Sequence, residues 1–243
     1  MDEILIDATL ASAESHWWYV GRAQTILSAI KALPIGRSPE ILDVGTGSGA
    51  MLELLSEFGT ARGIETDRQS YEFAQHKNRQ VQLVDGSSIP FADEHFQLVT
   101  SFDVIEHVED APALLSEMRR VTSQGGWGVF TVPASPRLWS SHDVMNGHYR
   151  RYTRDLLTAH LEDANWQLVD IFHFNWILYP LAASVRLTER RRHSESPRNQ
   201  VDSSNSLGGL GKFALSTEDR LRRYRIQAPF GLSLLAVAQK AHT

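Results

Sequence analysis

The 243-residue chain has no cysteine. That excludes a disulfide scaffold, a thiolate metal site and a cysteine nucleophile, and no metal site is expected. It also lacks a membrane span. Trp176 to Leu187 is apolar but falls short of the roughly 20 residues a span needs. Positive charge is not in excess either. A net charge of −5 argues against a nucleic-acid binder that works through phosphate contacts. Met1-Asp2-Glu3 is acidic, without the basic start and apolar core of a signal peptide. No internal repeat is visible. What remains is an ordinary soluble composition, 42% hydrophobic and 22% charged. It suits one large domain with a substantial core, or one domain with an appendage. A cytoplasmic protein is expected.

The stretch that organises the chain is Ile41-Leu42-Asp43-Val44-Gly45-Thr46-Gly47-Ser48-Gly49. Ile41, Leu42 and Val44 read as a short buried strand. Met51, Leu54, Leu55 and Phe58 share one helical face at i, i+3, i+4 and i+7. Glycines between such a strand and helix let backbone approach a ligand and leave free N–H groups at the helix start. This is the first βα turn of a doubly wound nucleotide-binding fold.

Five strand signals alternate with helices: the first at 41–44, then Thr60–Glu65, Val81–Val84, Gln97–Ser101 and Gly128–Val132, the last entered from a Gly125-Gly126 turn and stopped by Pro133. A mostly parallel sheet follows from that alternation. Helices are expected over Arg68–His76, Ala111–Val121 and from Thr153 through Leu161, with Thr153 as a cap. Trp166–Phe172 reads as a sixth strand and Gly231–Ala238 as the last core strand.

Several strand ends carry acids. Glu65 lies sixteen residues beyond Gly49, where a carboxylate accepts from ribose hydroxyls in such folds. Asp67 is the next candidate, or a cap for the helix after it. Asp85, followed by Gly86 and Ser87, either accepts from an exocyclic amine or forms an Asx turn. Asp103, Glu106 and His107 follow the fourth strand, where ligands sit in open α/β sheets. His95 reads as a solvent-facing loop residue and Met118 as core.

The flanks are harder to assign. Residues 1–38 read as a helical lid, broken by Pro34, Gly36 and Pro39. Trp17 and Trp18 either pack this helix on the sheet or cover the ligand, with Tyr19 or Arg22 reaching it. Residues 134–152 form a polar, aromatic-rich loop. The insert at 174–225 contains a short amphipathic helix, Phe213 to Tyr224, and a flexible part at 190–209. Its Arg190-Arg191-Arg192 run is a solvated charge cluster or a peripheral contact with anionic lipid.

Gly45-x-Gly47-x-x-Ala50 also satisfies the loose dinucleotide fingerprint, so NAD stays open on the glycines alone. Asp43 argues otherwise: two residues before the first glycine, a carboxylate is awkward beside a pyrophosphate and suitable beside an ammonium or sulfonium. The chain also lacks an obvious second mononucleotide-binding half.

Taken together, Asp43 to Gly49, Glu65, Asp85-Gly86 and Ser101-Phe102-Asp103-Val104-Ile105-Glu106-His107-Val108 resemble the class I S-adenosylmethionine-dependent methyltransferases. The likeness is nearest to the small-molecule group that includes ubiquinone-biosynthesis O-methyltransferases, and covers about residues 39–133. His148-Tyr149-Arg150-Arg151-Tyr152-Thr153 and Trp17-Trp18-Tyr19 are similar to segments in bacterial members. Gln97 departs from the family, which often carries Asp there.

The resemblance implies an α/β, doubly wound, seven-stranded and mostly parallel sheet with the last strand antiparallel, spanning 39–243 behind the 1–38 lid. It implies S-adenosyl-L-methionine as cofactor. Gly45, Gly47 and Gly49, with Thr46, would line its amino-acid and ribose portion, Glu65 and Thr66 the ribose, Asp85, Gly86 and Ser87 the adenine, and Phe102 and Asp103 the sulfonium end. It also implies a small-molecule methyl acceptor and methyl transfer to oxygen, with nitrogen and carbon acceptors open. Such a reaction often needs a base for the acceptor's proton. Candidates are His142, the preferred one, His107, Asp143 and His148, with Glu106 as an acceptor-side acid. A non-catalytic module that kept the cofactor pocket is the remaining alternative.

Overall fold

The computed structural model describes residues 17–86, 88–184, 208–223 and 226–241. Residues 1–16 of the expected lid, the side chain of Trp17, Ser87, the Arg190–Arg192 run, the segment expected to be flexible as far as residue 207 and Tyr224 lie outside the described residues. Among the described residues no helix is long and apolar enough to cross a membrane.

In chain order the main elements are α1 (Trp17–Lys31), β1 (Glu40–Val44), α2 (Ala50–Leu55), β2 (Thr60–Glu65), α3 (Arg68–His76), β3 (Val81–Leu83), β4 (Phe96–Phe102), α4 (Ala111–Val121), β5 (Thr122–Pro133), α5 (Ser141–Met145), α6 (Arg154–Asp163), β6 (Gln167–Phe174), α7 (Gly208–Arg223) and β7 (Ser233–Gln239). The seven strands form one sheet in the order β3-β2-β1-β4-β5-β7-β6. β1 to β5 pair in parallel, and β7 runs antiparallel to both β5 and β6.

The sheet is buried on both faces, and its residues alternate between two cores with the period of two that a pleated strand imposes. Leu42, Val44, Val99, Phe130 and Val132 face one way, against Leu115 and Met118 of α4 and Leu157 and Leu161 of α6. Ile41, Leu98, Val129, Leu235 and Val237 face the other, against Ile26 and Ile30 of α1 and Leu52 and Leu55 of α2. Met118 is therefore core. At roughly 1.5–3 kcal/mol for each fully buried Leu, Ile or Phe, these two layers hold the strand ends in place around the site.

Local chemistry sets the helix starts. Asp67 caps α3, its Oδ2 accepting from the Ser70 amide at 2.7 Å. Asp110 caps α4, with Pro112 in its first turn. Thr153 caps α6 through the Leu156 amide at 3.2 Å, as its sequence position suggests.

Three boundaries differ from expectation. β5 begins at Thr122, so Gly125 and Gly126 lie inside the strand and form no turn ahead of it. Gly125 adopts φ +72° and donates to the Lys240 carbonyl at 2.9 Å, which keeps the backbone satisfied through the irregular stretch. The 134–152 segment is not all loop: it holds a 3₁₀ turn at Pro136–Leu138 and helix α5. The insert helix starts earlier than expected, at Gly208, and packs on α1. A Cβ on Gly21 would come 2.2 Å from Leu215 Cδ1, so only glycine permits that approach.

Candidate active site

The glycine turn leaves β1 with Gly45 at φ +70° and Gly47 at φ +55°, conformations L side chains rarely adopt. The two glycines serve different ends. A Cβ on Gly45 would lie 2.5 Å from Val104 Cγ2, so its lack of a side chain lets the loop after β4 pack against the turn. A Cβ on Gly47 would meet nothing within 4 Å, so this backbone faces open space.

Glu65, at the end of β2 and 8% exposed, ties the turn to the sheet. Its Oε2 accepts from the Gly47 amide at 2.7 Å, and its Oε1 from the amides of Thr66 at 2.7 Å and Asp67 at 2.9 Å. Carboxylate oxygens have lone pairs for further donors. Asp67 caps α3 through one oxygen and lines the same cavity as Glu65.

Asp43 lies at the floor, 2% exposed, with the Thr100 hydroxyl donating to its Oδ1 at 2.7 Å. Burial pushes its carboxyl up to about 6, opposed by the hydroxyls of Thr100 and Thr46 and reinforced by Glu65. Asp85 is placed differently from its neighbours. β3 stops at Leu83, two residues short of it, and its side chain is exposed. Val84 and Gly86 line the cavity and Asp85 does not.

Across the cavity, β4 ends at Phe102 and Asp103 takes φ +55°, its amide donating to the Thr131 carbonyl at 2.9 Å. Arg22 of α1 is ion-paired with Asp103 and donates to Thr131 Oγ1 at 2.7 Å. The Arg22 guanidinium lines the cavity while its charge is held by Asp103. Tyr19, one turn earlier, is half-buried. Burial raises its phenol, opposed by Arg22 and helped by Asp103. Trp18 lines the same wall.

A single 3₁₀ turn, Ile105–His107, follows β4. It buries Glu106 completely and turns His107 toward α5. Burial raises the Glu106 carboxyl well above its usual range, with Asp103 adding to the shift. Burial, with His148 adding to it, lowers His107 to about 4, opposed by Asp103 and the Asn146 backbone. Asp143, a candidate base from sequence, is fully buried and is not among the residues that line the cavity. It accepts from Arg151 Nε at 2.7 Å and from the Ser140 amide at 2.9 Å, and lies 3.0 Å from His148 Nδ1. These partners hold its carboxyl far below the usual range against the opposing effect of burial. Asp143 therefore positions His148 and Arg151. His142 is exposed on α5 at the mouth, its Nε2 3.0 Å from Asn146 Nδ2. His95 is exposed and remote from these groups.

These groups bound a cavity of about 1380 Å³, with Trp18, Asp43, Glu65, Phe102, Glu106 and His142 among its walls. That exceeds the roughly 300–1,000 Å³ of a single-ligand pocket, so it has room for two molecules side by side. Sequence reasoning missed Thr100 and Thr131. The threonines sit at inward positions of central strands, where Val or Ile is the usual choice, and that departure was the available signal.

Comparison with known proteins agrees with this geometry. A family described as a methyltransferase domain matches residues 20–171, more than half of the chain. A demethylmenaquinone methyltransferase of Chlorobaculum parvum is 27% identical over 146 residues, covering 58% of each chain. The chain spans little more than half the length of the curated relatives it matches. Two solved structures share the fold. One is a complex of the Haloferax volcanii Trm112 methyltransferase activator with a methyltransferase. It has TM-score 0.64 and 18% identity, with 100% of this chain and 97% of that chain covered. The other is phosphoethanolamine N-methyltransferase 2 of Haemonchus contortus with S-adenosyl-L-methionine. It has TM-score 0.60 and 15% identity, with 90% of this chain and 52% of that chain covered. With the sheet order, the glycine turn and the strand-end acids, the match means that this chain belongs to the methyltransferase-domain family, among the class I S-adenosylmethionine-dependent methyltransferases.

Proposed function

We propose that the chain transfers a methyl group from S-adenosyl-L-methionine to a hydroxyl of a small molecule. The observation that carries this reading is the pair of carboxylates on one side of a two-ligand cavity. Glu65 is braced by three backbone amides, and Asp43 is buried at the floor. The open backbone at Gly47 leaves a cradle that a Cβ would fill, so the residues present fit a nucleoside carrying an amino-acid tail.

In this reading Asp43 and the turn from Gly45 to Gly49 hold the amino-acid end, and Glu65 the ribose. Val84 and Gly86 border the base, and Phe102 and Asp103 the other end. The bound cofactor supplies a methyl group on a positively charged sulfur, a good neutral leaving group. The chain's own work is alignment and exclusion of water. Trp18 and Tyr19 cover one wall as a lid over that end. Arg22 fixes Asp103, and the Thr100 hydroxyl fixes Asp43. His142 at the mouth receives the acceptor's proton. Oxygen is the favoured acceptor because this end of the cavity gathers proton-accepting groups. An NAD-dependent oxidoreductase is not favoured, since a buried carboxylate beside the turn opposes a pyrophosphate.

Isothermal titration with S-adenosylhomocysteine tests the cofactor half, with micromolar binding expected. No binding at millimolar concentration, with NAD bound instead, would sink it. A panel of small hydroxyl, amine and carbon acceptors, read by release of S-adenosylhomocysteine, tests the rest. Binding without turnover of any acceptor would leave a non-catalytic module.

A further inference from the structure

The inner end of the cavity carries a cluster that alignment of a methyl donor does not call for. Glu106 is fully buried, and among the described residues neither of its side-chain oxygens has a hydrogen-bond partner from another residue. A buried carboxylate without partners is costly, and proteins usually pair it or give it a metal. The nearby guanidinium groups are engaged elsewhere: Arg22 with Asp103 and Arg151 with Asp143.

A carboxylate oxygen of Glu106 and one ring nitrogen each of His107 and His148 lie within 4.8 Å of one another. Two imidazoles and a carboxylate make a donor set that Zn²⁺ and similar divalent cations take in catalytic sites, with a further position left open. The imidazoles are also held from behind. Asp143 Oδ1 lies 3.0 Å from His148 Nδ1, and Asp143 is itself fixed by Arg151 and Ser140. The backbone of Asn146 hydrogen-bonds the His107 ring. A buried carboxylate behind a histidine is the outer-shell arrangement that orients a metal-binding imidazole and leaves its other nitrogen free as ligand. The two rings meet edge to face with centroids 4.6 Å apart, which keeps their nitrogens from being stacked out of reach. All three residues line the same cavity as Phe102 and Asp103.

We propose that Glu106, His107 and His148 bind one divalent transition-metal cation at the inner end of the cavity, and that its open position takes an oxygen of the methyl acceptor. The first part stands on the geometry alone. The second rests on the methyltransferase reading above.

The test uses the full chain, stripped with a chelator. It is titrated with CoCl₂ followed by visible absorption, and with ZnCl₂ by calorimetry. One ion per chain is expected, with the strong d–d bands of a four- or five-coordinate site. Glu106→Gln and His148→Ala should each weaken binding by tenfold or more, on the order of what metal-site residues contribute. Anomalous diffraction from a zinc-soaked crystal gives a readout that does not depend on how the variants fold, with the peak expected between the three side chains. A wild-type chain that takes up no cation, uptake unchanged in folded variants, or a peak elsewhere overturns the site. S-adenosylhomocysteine titrated into the same preparation separates the two readings. Cofactor binding without cation binding removes the metal site and leaves the methyltransferase. Cation binding without cofactor binding does the reverse.

Discussion

The glycine-turn end of the cavity, where we propose the cofactor sits, is assembled from the carboxyl ends of three adjacent parallel strands, whereas the opposite end, the proposed acceptor side, draws on segments more than a hundred residues apart. At the first end, backbone does the holding: the amides of Gly47, Thr66 and Asp67 grip Glu65. At the second end, side chains hold side chains, in the Arg22–Asp103–Thr131 set and in the Arg151–Asp143–His148 set. A backbone cradle follows from the fold and changes only if the sheet changes. A side-chain network can be rewritten one residue at a time without disturbing β1, β2 or β4. The division suits a ligand common to a family at one end and a variable partner at the other.

The sharpest way to break this division is at the mouth. A His142→Ala variant should lose about 100-fold or more in kcat, the usual contribution of a general base, with its affinity for S-adenosylhomocysteine unchanged. Wild-type turnover would move the proton to the inner cluster at Glu106, His107 and His148. Weakened cofactor affinity would mean that the two ends are coupled. Next in size is Glu65→Ala, which removes an ionic acceptor worth about 2 kcal/mol and should weaken cofactor binding about 30-fold by calorimetry. Unchanged affinity would pass the ribose to Asp67, despite its role as a helix cap.

The smallest effect is a pH dependence at Asp43. Its carboxyl is raised from the ordinary 3.8 to about 6 by burial, so the folded cofactor-free protein binds a proton that the unfolded chain has already released. Stability of the free protein should therefore fall as pH rises from about 4 to about 6, then level off. A cationic ligand prefers the carboxylate, so cofactor affinity should rise with pH through about 6 and reach a plateau above it. Asp43→Asn should flatten both profiles. Affinity that is level across that window in the wild type would place no cation beside Asp43.

Much of the glycine-turn end of the cavity was legible in the sequence because its determinants are local. A buried strand, glycines of positive φ and a helix follow one another within fifteen residues, and β2, α3 and α4 have the limits that composition and caps suggest. The opposite end was not legible as geometry. Nothing in residues 17–22 announces a guanidinium that crosses to Asp103, and nothing near Glu106 announces His148 as its neighbour. Asp143, a candidate base by its loop position, is held by Arg151, Ser140 and His148 instead of standing open. Its spacing after Ser140 marks the start of a helix, where the two residues cap each other, yet in a polar loop the same aspartate looks chemical. Gly125 and Gly126 misled in the opposite way: a turn signal by composition, they lie within β5 because Lys240 supplies the missing partner.

The position of β7 has a consequence for how this chain comes together. β6 precedes β7 in the chain and, among the described residues, pairs only with it, at the far edge of the sheet. During synthesis β6 is therefore made before its only neighbour exists, and the open side of β5 also waits for β7. Until then two strand edges are exposed, the condition under which nascent chains aggregate. The segment Ser233–Gln239, buried throughout except at Gln239, acts as a late keystone. Its arrival converts an unfinished parallel sheet and a stray strand into one closed layer.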